Sequence, residues 1–422
     1  MSPKAKSRVS KSKAVPKRKR YRRIATEEAW AIPEQMDAQS ELISSTQEYY
    51  PDLFLWRIQT DPSGPVHNKL IDLFDMRLKE MDKYHVEMHL LALTSTGVQM
   101  MAPDKAATVA EIGNDRLAEA IRRYPDRFAG LATIPVQDPP RAIKEAERAI
   151  TKLKLNGIMI NSHTNGEYLS ERKYWPILEA IEHLNVPLYI HPRAPIPLMA
   201  KAYRTDHLEH AIWGYQAETG LHALRIITGG VLDQFPKLQI VIGHMGEGLP
   251  YWLYRLDFMH GRVRIGFDRP KLKLTPSEYI KRNYYITTSG MNWEPTLKFC
   301  IEVLGSDRIM WAIDYPYQDH EDAVEFMDAA RISEKDKQKI YHENAERVFK
   351  IKKAKSSGKR HRRTPDPASA TPRFCDNSLW QWSSRSSWWA AYCWAAGWAI
   401  FWTAGCTSRL PSRCLAALSD SE

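Results

Sequence analysis

Cysteine is scarce: five in 422 residues, with only Cys300 before residue 375. That excludes a small disulfide-stapled domain and leads us to expect a reducing, cytoplasmic compartment. Twenty glycines and 26 prolines are too few for a fibrous or low-complexity protein. No GxGxxG or GxxxxGK[ST] loop follows an apolar run, which removes the usual nucleotide-binding signatures. Acid is missing from 1–23, which holds eleven Lys and Arg, and from 351–363, which holds seven more. Residues 364–422 balance at four of each sign, so the +10 of the whole chain leaves −8 on 24–350. The middle is acidic and the basic charge belongs to its flanks, so neither nucleic acid nor a membrane is the expected partner of the core.

The flanks read differently from the centre. Residues 1–23 have almost nothing to bury and are expected to be a disordered basic extension. Within it PKRKRYRR has the composition of a nuclear address or a polyanion-binding arm. No apolar stretch follows these charges, so a secretory signal peptide is not expected. Residues 352–378 read as a linker, and 379–422 as a tail rich in Trp and Cys. Seven of the 14 Trp lie between Trp380 and Trp402. Residues 388–405 run 18 positions without charge, the lower edge of a membrane span, but Trp prefers the bilayer interface and here recurs throughout. The tail is expected to be unstructured or adventitious.

Between the flanks, eight short apolar runs alternate with longer helical patterns: 24–27, 86–95, 128–134, 156–161, 186–191, 239–244, 284–289 and 309–314. KLIDLFDMRLKEMDKY sets Leu70, Leu73, Phe74, Leu78 and Met81 at helical spacing and predicts one helix. Pro139 and Pro295 mark further helix starts, and 334–351 reads as a last helix. Strands separated by helices imply a parallel sheet with crossovers. Eight such units predict a (β/α)8 TIM-type barrel over 24–351, with a doubly wound open sheet as the alternative.

In such a barrel the reacting groups sit where strands end. The runs end in Glu27-Glu28, Asn161-Ser162-His163, His191, His244, Thr288-Ser289 and Asp314. Taken singly, each has a structural reading: His163 as a polar cap on the core, Asp314 before Tyr-Pro as a turn, Glu27 as a cap or a solvent-facing acid. Glu27, His191, His244 and Asp314 recurring at four strand ends point instead to one convergent site, with donors suited to Zn or Mn. His244 lies in Ile-Gly-His-Met-Gly-Glu, where Glu247 can orient or charge the imidazole as an acid/base pair. Arg255 is a candidate for a substrate carboxylate. His222 is a weaker candidate, whose plain reading is a helical surface residue.

RIATEEAWAIPE, LALTSTGVQ, YPDRFAGLATIPVQDP, GIMINSHTNGEYL, PLYIHPR, IVIGHMGEGLPYWLYRLD and MWAIDYPY, in that order, resemble the amidohydrolase-related metal-dependent decarboxylases. The resemblance implies metal ligands Glu27, His191 and Asp314, with His244 near or on the metal and Glu247 behind it. It places Arg255, His222 and Tyr317 near the substrate carboxylate or at a subunit boundary, and implies a homo-oligomer, dimer or tetramer; His163, at the end of the fourth run, is a further substrate-binding candidate. Hydrolytic relatives begin with His-x-His, where this chain has Glu27 and Ala29, and many carry a carboxylated Lys after strand four, where it has Asn161-Ser162-His163. Both departures argue against a two-metal hydrolase. Relatives also carry an Arg where QTDPSGPVHNK has none. The expected activity is non-oxidative decarboxylation of an ortho-hydroxy aromatic acid, of the 5-carboxyvanillate or hydroxybenzoate type. It would use one divalent ion (Mn or Zn), no organic cofactor, and Asp314 as proton donor to the ring. A metal-dependent lactone or amide hydrolase on the same barrel is the alternative.

Overall fold

A computed structural model describes residues 21–46, 50–262 and 270–352. The first 20 residues of the basic extension, and the linker and Trp-rich tail beyond residue 352, lie outside the described residues. Every one of the eight apolar runs forms a strand: β1 Ile24–Trp30, β2 Met88–Leu93, β3 Phe128–Thr133, β4 Gly157–Asn161, β5 Leu188–His191, β6 Ile240–Ile242, β7 Tyr284–Thr287 and β8 Ile309–Met310. All neighbouring pairs are parallel, in the order β1 to β8. Helices lie between the strands and cover the sheet from outside, which is why the strands are apolar on both faces. The fold is a (β/α)8 barrel.

Two apolar layers result. Outside, strand residues such as Leu91, Ile158 and Ile190 pack against the helices. Inside, Ile24, Met88, Leu90, Leu131, Met159, Tyr189, Val241, Tyr285 and Met310 fill the bore together with Phe349 and Ile351 of the C-terminal segment. Asn156, just before β4, donates to the Phe349 carbonyl at 2.9 Å, which fixes that plug at the end where strands begin. The opposite end is left for polar side chains.

The seam between β8 and β1 is closed differently from the rest. Thr26 N–H donates to the Trp311 carbonyl at 3.2 Å and Ala29 N–H to the Tyr315 carbonyl at 2.8 Å. The Glu28 carboxylate takes the remaining donors, Ile313 N–H at 3.0 Å and Tyr315 N–H at 3.1 Å. A side chain thus completes a ladder that β8, two residues long, leaves open.

Three expectations need correction. The first strand does not end at Glu27: it continues to Trp30, and its register against β2 slips by one residue between Ala25 and Glu28. Such a bulge re-aims side chains, here turning two consecutive acids to different partners. The single helix expected through Leu70 and Met81 is two, Pro65–Ile71 and Met76–Lys83. Asp72 breaks it, its carboxylate accepting from Asp75 N–H at 2.9 Å and Met76 N–H at 3.2 Å, an alternative to helical bonding that aspartate offers readily. The last helical stretch is interrupted by a π turn over Lys339–Glu343. Among the described residues no helix is long and apolar enough to cross a membrane.

Candidate metal centre

Glu27 is buried at the mouth of the barrel. Its Oε2 accepts from the hydroxyls of Tyr189, Ser289 and Thr287, the last at 2.7 Å. Its Oε1 is buried and has no hydrogen-bond partner. That oxygen faces His191 Nε2 at 3.5 Å and His244 Nε2 at 3.9 Å. Burial alone would raise the Glu27 pKa, but His244, His191 and the hydroxyls prevail and hold it below the ordinary carboxylate range.

His191 closes β5, two positions after Tyr189 and therefore on the same inward face. Its Nδ1 contacts the Pro192 carbonyl at 2.8 Å, and a carbonyl can only accept, so Nδ1 carries the proton and Nε2 keeps its lone pair for a ligand. Asp314 follows β8 with φ +76°, a left-handed conformation that costs a non-glycine residue about 1–3 kcal/mol. Its neighbours' N–H groups are held by Glu28, and its own carbonyl accepts from Tyr317 N–H and Gln318 N–H at 2.9 and 3.0 Å. Glu27, His191 and Asp314 each offer one donor atom, all within 4.8 Å of one another. An unpartnered carboxylate oxygen, an imidazole lone pair and a second carboxylate make a donor set that fits a single hard-to-borderline divalent cation.

His244 stands beside this set. It opens a tight turn in which His244, Met245 and Glu247 all have positive φ. Glu247 Oε1 accepts from its Nδ1 at 2.8 Å, which leaves Nε2 toward Glu27 Oε1 and Asp314 Oδ2, both at 3.9 Å. Burial disfavours the imidazolium, but Glu247, Glu27 and Asp314 outweigh it and raise the His244 pKa above the ordinary value. Asp314 moves up as well, through burial and the nearby Glu27 charge, with His244 opposing. A narrow pocket, partly open to solvent, lies over Glu27, His191 and Asp314. Ala29, Ala92, Leu93 and Met159 give it apolar walls, and Thr94 and Ser95 a polar rim.

The other expected residues fall elsewhere. His163 is fully buried; its Nε2 donates to the Ala194 carbonyl at 3.1 Å and its Nδ1 accepts from Gly166 N–H at 3.1 Å. Burial and Arg193 push its pKa down to about 2. His222 is not on the surface: it is buried in the helix Gly214–Thr228, Nε2 accepting from Leu169 N–H at 3.1 Å and Nδ1 lying 3.3 Å from Ser162 Oγ. Burial lowers it to about 3. Arg255 is exposed on the helix Leu249–Arg262, and among the described residues no hydrogen bond or ion pair joins it to the donors. Tyr317 lies near the rim, its hydroxyl 2.6 Å from both Gln59 Nε2 and Thr94 Oγ1.

Several site residues carried no signal strong enough to find from the sequence. Tyr189 and Thr287 are ordinary strand residues until Glu27 is placed between them. Asp52 and Arg193 form a fully buried ion pair across 141 positions of chain, and Asp52 also accepts from Ala194 N–H at 3.3 Å. The pair ties the segment before the helix Leu53–Thr60 to the loop that follows His191.

Residues 63–351 match the family described as Amidohydrolase. The chain belongs to the amidohydrolase family. It is 36% identical over 295 residues to a γ-resorcylate decarboxylase of Polaromonas, an alignment covering 68% of this chain and 90% of that one. Among solved structures, the 5-carboxyvanillate decarboxylase of Sphingomonas paucimobilis superposes with a TM-score of 0.77 at 46% identity, covering 79% of this chain and all of that one. The 5-carboxyvanillate decarboxylase of Novosphingobium aromaticivorans, complexed with manganese and 4-hydroxy-3-methoxy-5-nitrobenzoic acid, gives 0.76 at 43%, covering 78% and 96%. These relatives are aromatic-acid decarboxylases, and manganese is bound in some of their structures.

Proposed function

We propose that this amidohydrolase is a carboxy-lyase that releases CO₂ from an ortho-hydroxy aromatic acid, with 5-carboxyvanillate the first substrate to try. The observation that carries the reading is the unpartnered Glu27 Oε1 within reach of His191 and Asp314 donors, in a chain whose 46%-identical structural neighbour is a 5-carboxyvanillate decarboxylase. Glu27, His191 and Asp314 would hold one divalent ion, with manganese favoured over zinc by the relatives' content. When bound, that ion supplies Lewis acidity for a substrate phenolate and carboxylate. His244, 3.9 Å from Glu27 Oε1 and Asp314 Oδ2, is taken as an acid/base neighbour of the ion.

Direct loss of CO₂ would leave an aryl carbanion whose lone pair lies in the ring plane, outside the π system. Protonating the carbon that bears the carboxylate avoids it. The ortho oxygen pushes electrons to that carbon, the ring becomes a dienone, and the carbon–carboxylate bond breaks as its electrons restore aromaticity. We take Asp314, which lines the pocket with Oδ2 3.9 Å from His244 Nε2, as the donor of that proton, supplied to it by His244 because a ligand carboxylate rests ionised. His244, with Nδ1 held by Glu247, returns a proton to Asp314 between turnovers. The apolar walls exclude water and strengthen every polar contact within.

The helix of Arg255 leaves Tyr251, Trp252 and Tyr254 exposed. We assign contact with a second copy to that face, and Arg255 to the boundary. The barrel over 24–351 is taken as the catalytic domain. Its one cysteine, Cys300, is buried and unpaired, in keeping with a cytoplasmic enzyme. The test is a panel of 5-carboxyvanillate, γ-resorcylate, 2,3-dihydroxybenzoate and an aryl lactone, read by CO₂ release and product NMR. CO₂ with the decarboxylated phenol supports the reading. Lactone opening without CO₂ assigns the protein to hydrolysis.

A further inference from the structure

The groups behind Glu27 are more numerous than the burial of one carboxylate requires. Tyr189 from β5, Thr287 from β7 and Ser289 just beyond β7 all converge on Oε2, while Oε1 receives nothing. The protons can all point the same way. Ser289 Oγ accepts from His244 N–H at 3.2 Å, so its own hydrogen is free to go to Glu27. Thr287 Oγ1 lies 3.2 Å from the Tyr189 hydroxyl and 2.9 Å from Ser289 Oγ, which packs the three into one cluster. An ionised carboxylate oxygen offers about two lone-pair directions, so three donors saturate it.

The fourth side is a glycine. Gly243 has φ −74°, a conformation open to any residue, so backbone freedom does not explain it. A Cβ there would lie 2.8 and 2.9 Å from the two Glu27 oxygens. The glycine of the Ile-Gly-His string is needed because the Glu27 carboxylate occupies the space of its side chain.

We infer that Tyr189, Thr287 and Ser289, around a carboxylate for which Gly243 leaves room, form a cradle that makes Glu27 a one-oxygen ligand, committing Oε1 to the cation and withholding Oε2. This rests on reading Glu27, His191 and Asp314 as a cation site. The three hydroxyl residues are positioning residues, acting on the metal through Glu27. Partners behind a ligand set its orientation and commonly decide about 10–100-fold in metal affinity. Here they also set its binding mode, because a carboxylate with both oxygens available can chelate with two.

The test uses the full chain with Mn²⁺ alone. Tyr189→Phe, Ser289→Ala and Thr287→Val are compared with wild type and with the conservative Thr287→Ser. Free Mn²⁺ is titrated by electron paramagnetic resonance, the bound spectrum is recorded, and the melting temperature of the metal-free protein is measured alongside. The expected result is a Kd for Mn²⁺ weakened by about 10–100-fold in the first three variants, an altered bound line shape, and recovery of both in Thr287→Ser. Wild-type affinity and line shape in the three variants would overturn the inference while leaving the cation site intact, even if their metal-free melting temperatures drop. No Mn²⁺ binding by wild type would overturn both. Should Tyr189→Phe fail to fold, Thr287→Val against Thr287→Ser decides by the same readout.

Discussion

Glu27 and Glu28 are neighbours in the chain and both are buried, yet their carboxyl groups are driven in opposite directions. Glu27 is held below the ordinary range; Glu28 is pushed up to about 8. Burial opposes the charge at both. The difference lies in what surrounds them. Glu27 faces two imidazoles and three hydroxyls. Glu28 has two backbone N–H groups and the more distant Arg77, and these do not overcome its desolvation. The bulge in β1 sends one acid into the bore and the other to the seam with β8. One presents an oxygen to a ligand, and the other holds the backbone on each side of Asp314 from behind.

The contrast is sharpest in a paired substitution. Glu27→Gln should weaken Mn²⁺ binding by more than about 100-fold, beyond what outer partners alone contribute, and abolish turnover. Glu28→Gln should keep its Mn²⁺. Metal content after gel filtration separates them, and equal loss in both would erase the distinction.

Asp314 stands between the two acids. Asp314→Asn should lower kcat for 5-carboxyvanillate by about 10²–10⁴-fold, the usual worth of a positioned proton donor. Steady-state CO₂ release reads this, and near-wild-type turnover would remove Asp314 from the chemistry.

Two histidines outside the metal set extend the comparison to acid. His163 and His222 are pushed down to about 2 and about 3. The unfolded chain binds protons at these positions below about pH 6.5, where the folded chain does not. Their stabilising contribution is therefore complete above that pH and is lost as pH falls toward the folded values. Each adds a slope of about 1.4 kcal/mol per pH unit once the unfolded histidine is protonated. Urea midpoints at pH 7 and pH 5 should differ, and His222→Gln should reduce the difference.

The smallest effect expected is on stability in Glu28→Gln. An amide can accept only one of the two backbone donors, and an unmet buried N–H costs about 1–3 kcal/mol. Urea unfolding at pH 7 measures it. Because burial keeps Glu28 mostly protonated at pH 7, a loss well beyond that would contradict its raised pKa and mean that the seam needs the charge itself.

Much of this was legible in the residues. Eight apolar runs separated by helical patterns located the strands and their parallel sense, and polar side chains at the run ends marked the mouth. His191 follows Tyr189 by two, so its inward direction was readable from parity alone. The bulge was not readable, because consecutive glutamates give no sign of which one faces in. The apolar spacing through Leu70 and Met81 does not show that the Asp72 carboxylate ends one helix and starts another. His222 looked like a surface residue because helical spacing does not show what Ser162 and Leu169 bring to it. The cradle hydroxyls were hidden for a similar reason: Tyr and Thr in strands are common, and only the closed ring puts β5 and β7 on one carboxylate.

The central claim, that a cation held by Glu27, His191 and Asp314 drives loss of CO₂, meets its most direct test in one measurement. CO₂ release from 5-carboxyvanillate is followed before chelation, after exhaustive chelation, and after Mn²⁺ is returned. Release that stops with the chelator and resumes with Mn²⁺ is the expected result; release that continues undiminished without metal would contradict the claim.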